Sequence, residues 1–299
     1  MSKKIFYLFL ILLAVAQMSV HAKRIVTLAP AITEIVFALG KGDEIIGCTR
    51  FCNFPEAAKK IPRVGGFMDV NLEVLISKRP EIIFLYPEFH EKIKIMEKKT
   101  EMVVVKHADL NDLYDAVKTI AGALQMEARG KALVSQIKNR LNLIREKSSA
   151  KGKKKVKVLL IIGRNPDKLT NMYIIGAKDF LNQLMDAAGG VNAYTGSIRY
   201  PSISIESVVA MNPDVIIELS SFNEGIDEKK VLELWKKFSF ISAVKRGKIK
   251  IIKDSVWLIP GPRVAQVAEK MYRLFFDENE DPAAGKLDGP GFTKASNKH

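Results

Sequence analysis

Two stretches of this chain follow one plan: LEVLISKRPEIIFLY at 72–86 and IESVVAMNPDVIIEL at 205–219. Each carries a glutamate at its start (Glu73, Glu206), a short helical segment, a proline (Pro80, Pro213), an acidic residue and an apolar run. Proline disfavours helical backbone in the residue before it, so each stretch reads as helix, stop and strand. The runs EIIFLY (81–86) and DVIIEL (214–219) are too uniformly apolar for strands with one wet face. They belong in a sheet covered on both sides. A unit of this kind used twice constrains the chain to two α/β lobes of similar design.

The remaining pattern agrees. In the first half, strands are expected at RIVTLA (24–29), EIIGCT (44–49) and MVVVK (102–106). Helices are expected around Thr33–Leu39, over Leu72–Ser77, Lys92–Lys99 and Leu110–Leu124. In the second half, KVLLIIG (157–163) and KIKIIK (248–253) read as strands. Helices are expected over Ala177–Ala188, Ile205–Met211, Lys229–Lys237 and Val264–Phe276. Apolar strands alternating with helices predict the α/β class, with two Rossmann-like lobes and parallel sheets. Between the halves, Leu133, Val134, Ile137, Leu141 and Ile144 form one stripe on a helix beginning near Ala128. That helix would span about 30 Å. The organisation read from the chain is therefore a first lobe over 23–127, a linking helix over 128–150, a second lobe over 151–276, and a polar tail from 277 to 299 that lacks the apolar content to pack.

The amino terminus, MSKKIFYLFLILLAVAQMSVHA, has the form of a secretory signal peptide over 1–22. Its apolar run is shorter than the roughly 20 residues of a spanning helix, and no cysteine follows it closely to take a lipid. The mature protein is expected to start near Lys23 and to be periplasmic. Cleavage removes Lys3 and Lys4, so the formal charge falls from +14 to +12 (14 − 2). The lysines are scattered over helices, without the basic strand interleaved with aromatics that nucleic acid would need, so no nucleic-acid partner is expected. Cys48 and Cys52 sit four residues apart in an exported chain, where a disulfide is permitted and is not required. The mature chain keeps only His90, His107 and His299, too few with these cysteines for a zinc receptor, and no metal site of its own is expected. No GxSxG elbow, P-loop or HExxH motif occurs, which argues against an enzyme.

Four segments carry a resemblance. They are RIVTLAPAITEIVFALG with IIGCTRFCNFPEAAKKIPRVGGFMDVNLEVLISKRPEIIF; GRNPDKLTNMYIIGAKDFLNQLMDAAGGVNAY; YPSISIESVVAMNPDVII; and PGPRVAQVAEKMYRLF. Together they resemble the periplasmic substrate-binding proteins of ABC importers for cobalamin, haem and ferric siderophores, and within that group the cobalamin-binding branch. The resemblance implies two α/β lobes joined by one rigid helix, with ligand in the cleft between them. It implies a monomeric receptor without a cofactor, a corrinoid as transported ligand, and an inner-membrane ABC permease as partner.

The resemblance also distributes roles. Phe51, Phe67 and Tyr200 match positions where cobalamin-binding relatives carry cleft aromatics. Phe54 stands beside Pro55, where a ring either contacts ligand or packs the loop. Pro30 and Tyr86 fall at carboxyl ends of first-lobe strands, where open α/β sheets place ligands. Asp254, Ser255, Trp257 and Arg263 lie in a window that supplies cleft contacts, Asp254 or Ser255 to peripheral amides; Arg263 has a structural ion pair as its other reading. Cys52 lies near enough to that pocket for a thiolate–cobalt contact to be considered. Glu73 and Glu206 match two acidic residues that dock onto arginines of the permease, one per lobe. Arg50, Arg164 and Arg199 fall near the cleft rims and keep an anionic haem or siderophore as the alternative ligand, with Tyr86, Tyr200 or His90 as haem ligands. Against haem, Phe54 stands where that branch carries a tyrosine. A periplasmic enzyme, sensor or storage protein on the same fold is the remaining rival.

Overall fold

The computed structural model describes residues 22–276 except Met68, Lys153 and 221–226. The expected signal peptide, up to its final Ala22, and the expected polar tail lie outside the described residues.

The first lobe holds β1 (Ile25–Thr27), α1 (Pro30–Ala38), β2 (Ile45–Cys48), α2 (Leu72–Ser77), β3 (Ile82–Leu85), α3 (Pro87–Ile93), β4 (Glu101–Val104) and α4 (Leu110–Ala123). Its four strands are all parallel, in the order β2-β1-β3-β4. Every residue of β1 and β3 is buried, as strands covered on both faces require. Two helices start earlier than the sequence pattern suggested. Pro30 and Pro87 each occupy the first turn of a helix, where a missing N–H costs nothing and the fixed φ favours the helical turn. The expected helix over Lys92–Lys99 is therefore α3 plus a 3₁₀ turn at Lys94–Met96.

The second lobe contains β5 (Val156–Gly163), β6 (Met172–Ile174), α6 (Phe180–Ala187), β7 (Gly190–Asn192), β8 (Ser202–Ile203), α7 (Ile205–Met211), β9 (Val215–Leu219), α8 (Glu228–Lys236), α9 (Ser242–Lys245), β10 (Ile249–Ile252) and α10 (Val264–Phe276); between the lobes lies α5 (Glu127–Ala150). Four of these strands run parallel in the order β7-β5-β9-β10, the same winding as the first sheet. The expectation of two parallel sheets is nevertheless corrected, because β6 and β8 are antiparallel and make the second sheet mixed. Asn171 takes a left-handed φ of 53° just before β6 and turns the chain back on β5. The expected helix from Ala177 begins later, because Lys178 is also left-handed and the Asp179 carboxylate caps α6 by accepting from Leu181 N–H.

Helix α5 runs for 24 residues, about 36 Å at 1.5 Å per residue. Its predicted stripe is buried from Leu133 to Ile144. It packs against α4 of the first lobe and against α6 and α10 of the second. Gly130 sits where α5 crosses α4: a Cβ there would lie 2.5 Å from that of Ala121. One hydrophobic core runs without a break from the first sheet through α5 into one face of the second sheet. A separate cluster under α8, centred on Trp235, covers the other face. The shared core makes the lobes poorly free to swing apart.

Candidate functional site between the lobes

The carboxyl ends of the two sets of strands are brought together at two points. Beyond β4, the Ala108 carbonyl accepts from Phe180 N–H at 3.1 Å and from Arg199 Nη2 at 3.0 Å, while Leu110 N–H donates to Gln183 Oε1 at 2.7 Å. Beyond β10, the chain returns to α1. There Arg263 donates from Nε and Nη2 to the buried Glu34 carboxylate at 2.9 and 2.5 Å. Burial pushes the Glu34 carboxyl upward, against the lowering by Arg263. The Arg263 guanidinium also lies 3.9 Å from the Phe54 ring centre. Of the two readings left open for Arg263, the structure adopts the ion pair.

The loop from Arg50 to Val70 hangs beyond β2. It is drawn back to the sheet by bridges Cys48–Arg63 and Gly65–Val70, and by Arg50 N–H donating to the Gly65 carbonyl. Gly65 has φ of 113°, and a Cβ there would meet the Asp69 carbonyl at 2.3 Å, so the turn admits only glycine. On this frame Phe51 is 44% and Phe67 37% exposed, while Phe54 is half-buried. Phe67 stands edge-on to Phe89, with ring centres 4.9 Å apart. In the second lobe Tyr200 is 44% exposed, and its hydroxyl donates to Asp179 Oδ2 at 2.8 Å. Burial, then the Asp179 charge, pushes the Tyr200 phenol well above its ordinary range. Rings held open in this way would bind a broad apolar face, since each stays solvent-exposed on a fixed backbone.

Other predicted positions take structural duties. Trp257 is 1% exposed and belongs to the core, so its assignment as a cleft contact is corrected: the 3₁₀ turn Ser255–Leu258 directs the indole inward. Asp254 caps that turn by accepting from Val256 N–H and pairs with Lys270 at 2.7 Å, leaving Ser255 exposed beside it. Tyr86 is buried, with its ring stacked 4.0 Å from His107. Burial, then the Glu34 charge, pushes its phenol far up. Pro30 is half-buried at the start of α1. Cys48 and Cys52 are free thiols with no exposed surface, so neither sulfur is open to solvent. Burial raises the Cys52 thiol, but hydrogen bonds from Cys48, Thr33 and Thr49 outweigh it and hold it below the ordinary thiol range.

The three rim arginines are each neutralised. Arg50 grips Asp69 through two bonds at 2.7 and 2.8 Å, Arg164 pairs with Glu218 at 3.0 Å, and Arg199 with Asp179 at 3.1 Å. His90 pairs with Glu97 at 2.8 Å, and His107 with Glu88 at 3.1 Å. Glu73 and Glu206 are exposed in the first turns of α2 and α7, each behind an N-cap, Asn71 or Ser204. These helices precede β3 and β9, which occupy equivalent places in the two sheets. The hydrogen bond from Ser204 holds the Glu206 carboxyl below its ordinary value. Among the described residues, no group of three or more His, Cys, Asp or Glu side chains is arranged to hold a metal ion. No described helix is long and apolar enough to cross a membrane.

Two α/β lobes on a shared helix, with their strand ends turned toward each other, define a two-lobed ligand receptor. The sequence profile of the periplasmic binding protein family matches residues 25–256, and the chain belongs to that family. It is 29% identical over 267 residues to an uncharacterised ABC transporter substrate-binding lipoprotein, YvrC, of Bacillus subtilis, covering 86% of this chain and 82% of the relative. It is 25% identical over 200 residues to a vitamin B12-binding protein of Vibrio campbellii, covering 65% and 70%. A periplasmic haem-binding protein of Pseudomonas aeruginosa has the same fold, with a TM-score of 0.74, 20% identity, and 90% and 96% coverage. These relatives are ligand-binding transport proteins, not enzymes. Substrate-binding proteins of ABC importers deliver a small molecule to a membrane permease.

Proposed function

We propose that this chain is a periplasmic receptor that captures a corrinoid between its lobes and hands it to an ABC permease. The observation that carries the reading is a contrast: Phe51, Phe67 and Tyr200 are exposed, while Arg50, Arg164 and Arg199 already hold carboxylates. A corrinoid is broad, largely apolar on its faces and uncharged along most of its edge, so rings supply its main contact at roughly 25 cal/mol per Å² buried. Haem propionates or an anionic siderophore would call for free guanidinium groups. Haem would also need an axial ligand from the protein. Tyr200 donates its proton to Asp179, Tyr86 is buried under His107, and both histidines sit against glutamates. The vitamin B12-binding relative supports the same ligand class. Glu73 and Glu206, one per lobe, would set the receptor on arginines of the permease, where they contribute registry and encounter rate more than affinity.

The test is incubation of the purified protein with cyanocobalamin, cobinamide, haemin and a ferric siderophore in turn, followed by desalting and visible spectra. A corrinoid spectrum that stays with the protein is expected. Retained haemin with a shifted Soret band, and no retained corrinoid, would replace this reading by the haem alternative. Amino-terminal sequencing of exported protein should start at Lys23.

A further inference from the structure

At the carboxyl ends of β5 and β9 lies a recess of about 270 Å³, counting the solvent in its mouth, lined by Gly163, Arg164, Glu218 and Ser220 among others. Most of that volume is open mouth; the enclosed part has room for about one water-sized atom such as a carbonyl oxygen, and not for a macrocycle. Two buried side-chain polar atoms lack a hydrogen-bond partner among the described residues: Arg164 Nη2 and Ser220 Oγ. Both belong to this one recess. The Arg164 side chain is 4% and Ser220 6% exposed. The rest of the guanidinium is held in place: Nε donates to Glu218 Oε2 at 3.0 Å, and Nη1 to the carbonyls of Asn165 and Pro166 at 2.7 and 3.2 Å. Glu218 is fixed in turn by Trp235 Nε1, which donates to its other oxygen. Buried donors without acceptors are costly, and here the cost is concentrated where two of them share one small space.

The charge of the recess selects the acceptor. Glu218 offsets Arg164, so the site is neutral overall, and an incoming carboxylate or phosphate would meet the Glu218 charge at short range. A neutral carbonyl oxygen accepts from both donors without that repulsion. Gly163, one of the lining residues, has free space beside it, since a Cβ added there would meet nothing within 4 Å. The recess also lies at the end of the second sheet from which the chain returns to Glu34: Ser220 N–H donates to the Ile252 carbonyl at 2.8 Å, and Asp254 to Arg263 follow. We propose that Arg164 and Ser220 form a second-lobe subsite for a neutral side-chain amide of the ligand, donating from Nη2 and Oγ to its carbonyl oxygen. This rests on the corrinoid reading and adds a basis for preferring an amide-edged macrocycle to a carboxylate-edged one.

The experiment is calorimetric titration with cyanocobalamin and with its monocarboxylic acids, each made by hydrolysing one peripheral amide. Wild type should bind intact cyanocobalamin and disfavour one of the isomeric acids by tenfold or more, because a site built for one hydrogen-bonding partner rejects the wrong one strongly. Ser220→Ala should weaken the intact corrinoid by about three- to tenfold, the loss of one neutral hydrogen bond. Gly163→Leu, which plugs the mouth from a position with free space, should weaken it at least as much. Both variants should keep the wild-type circular dichroism spectrum. If both bind the intact corrinoid as wild type does, the recess holds only an ordered water; the subsite is then refuted and the corrinoid reading stands. Equal binding of cyanocobalamin and all its acids by wild type refutes the amide selectivity in the same way. If wild type retains haemin or a siderophore and no corrinoid, both proposals fall together.

Discussion

The two lobes wind four parallel strands in the same order, yet they spend their loops differently. The first lobe carries a long loop beyond β2 that holds Phe51, Phe54 and Phe67 over a turn requiring Gly65. The second places an antiparallel pair, β6 and β8, at one edge of its sheet, and Tyr200 lies two residues before β8. In the first lobe the aromatic surface is a loop supported by backbone bridges. In the second it is one ring anchored by Asp179, which also caps α6 and binds Arg199. A duplicated scaffold thus supports two unlike walls, because the strands set only where loops begin.

Substitutions can break this comparison, and the largest effect belongs to the second lobe's own core. Trp235→Ala should lower the unfolding free energy by about 3–5 kcal/mol, measured by denaturant titration. It empties the cluster under α8 and removes a donor from the buried Glu218. Next comes the tie between lobes. Arg263→Ala leaves Glu34 buried without its partner and should cost up to about 3–5 kcal/mol, whereas an Arg263→Ala/Glu34→Gln double variant should recover part of the loss. The walls themselves differ by a smaller amount. In corrinoid titrations, Phe51→Ala and Phe67→Ala should each cost roughly 1–3 kcal/mol of binding through lost apolar area, while Tyr200→Phe, which keeps the ring, should cost about 1 kcal/mol through the lost anchor to Asp179. Equal losses from Tyr200→Phe and the phenylalanine truncations would dissolve the distinction between the two walls.

The smallest effect on the isolated protein is expected where the lobes are most alike. Glu73→Arg and Glu206→Arg change exposed helix starts and should move stability by about 0.5 kcal/mol or less. Ligand binding should be unchanged while uptake in cells falls, and more so in the double variant. Weakened ligand binding in either single variant would show that these glutamates belong to the ligand site.

Much of this was legible along the chain because it is written in short range. Period and composition marked the strands, the stripe of α5 and the paired acidic helix starts, each within a window of a few residues. Proline positions even carried the true starts of α1 and α3, since Pro30 and Pro87 suit a first helical turn. What was not legible involves partners far apart in sequence. Arg50 finds Asp69 across 19 positions, Arg164 finds Glu218 across 54, and Arg263 finds Glu34 across 229. As sequence, Arg50 and Arg164 were arginines near a rim, equally suited to an anion, and Arg263 was either a cleft contact or half of an ion pair. Trp257 likewise read as a cleft ring until the turn at Ser255–Leu258 directed it inward.

The sequence by itself therefore determined two α/β halves and the rod between them, because hydrophobic periodicity and turn residues act locally and repeat; the class of receptor came from the resemblance of its segments to a known family. Only the tertiary structure decided which charges are already spent on one another, which rings stay exposed and which buried donors stay without a partner. Those outcomes depend on the packing of distant segments, and the energy of a buried ion pair or an unpartnered donor exists only once that packing has removed the water.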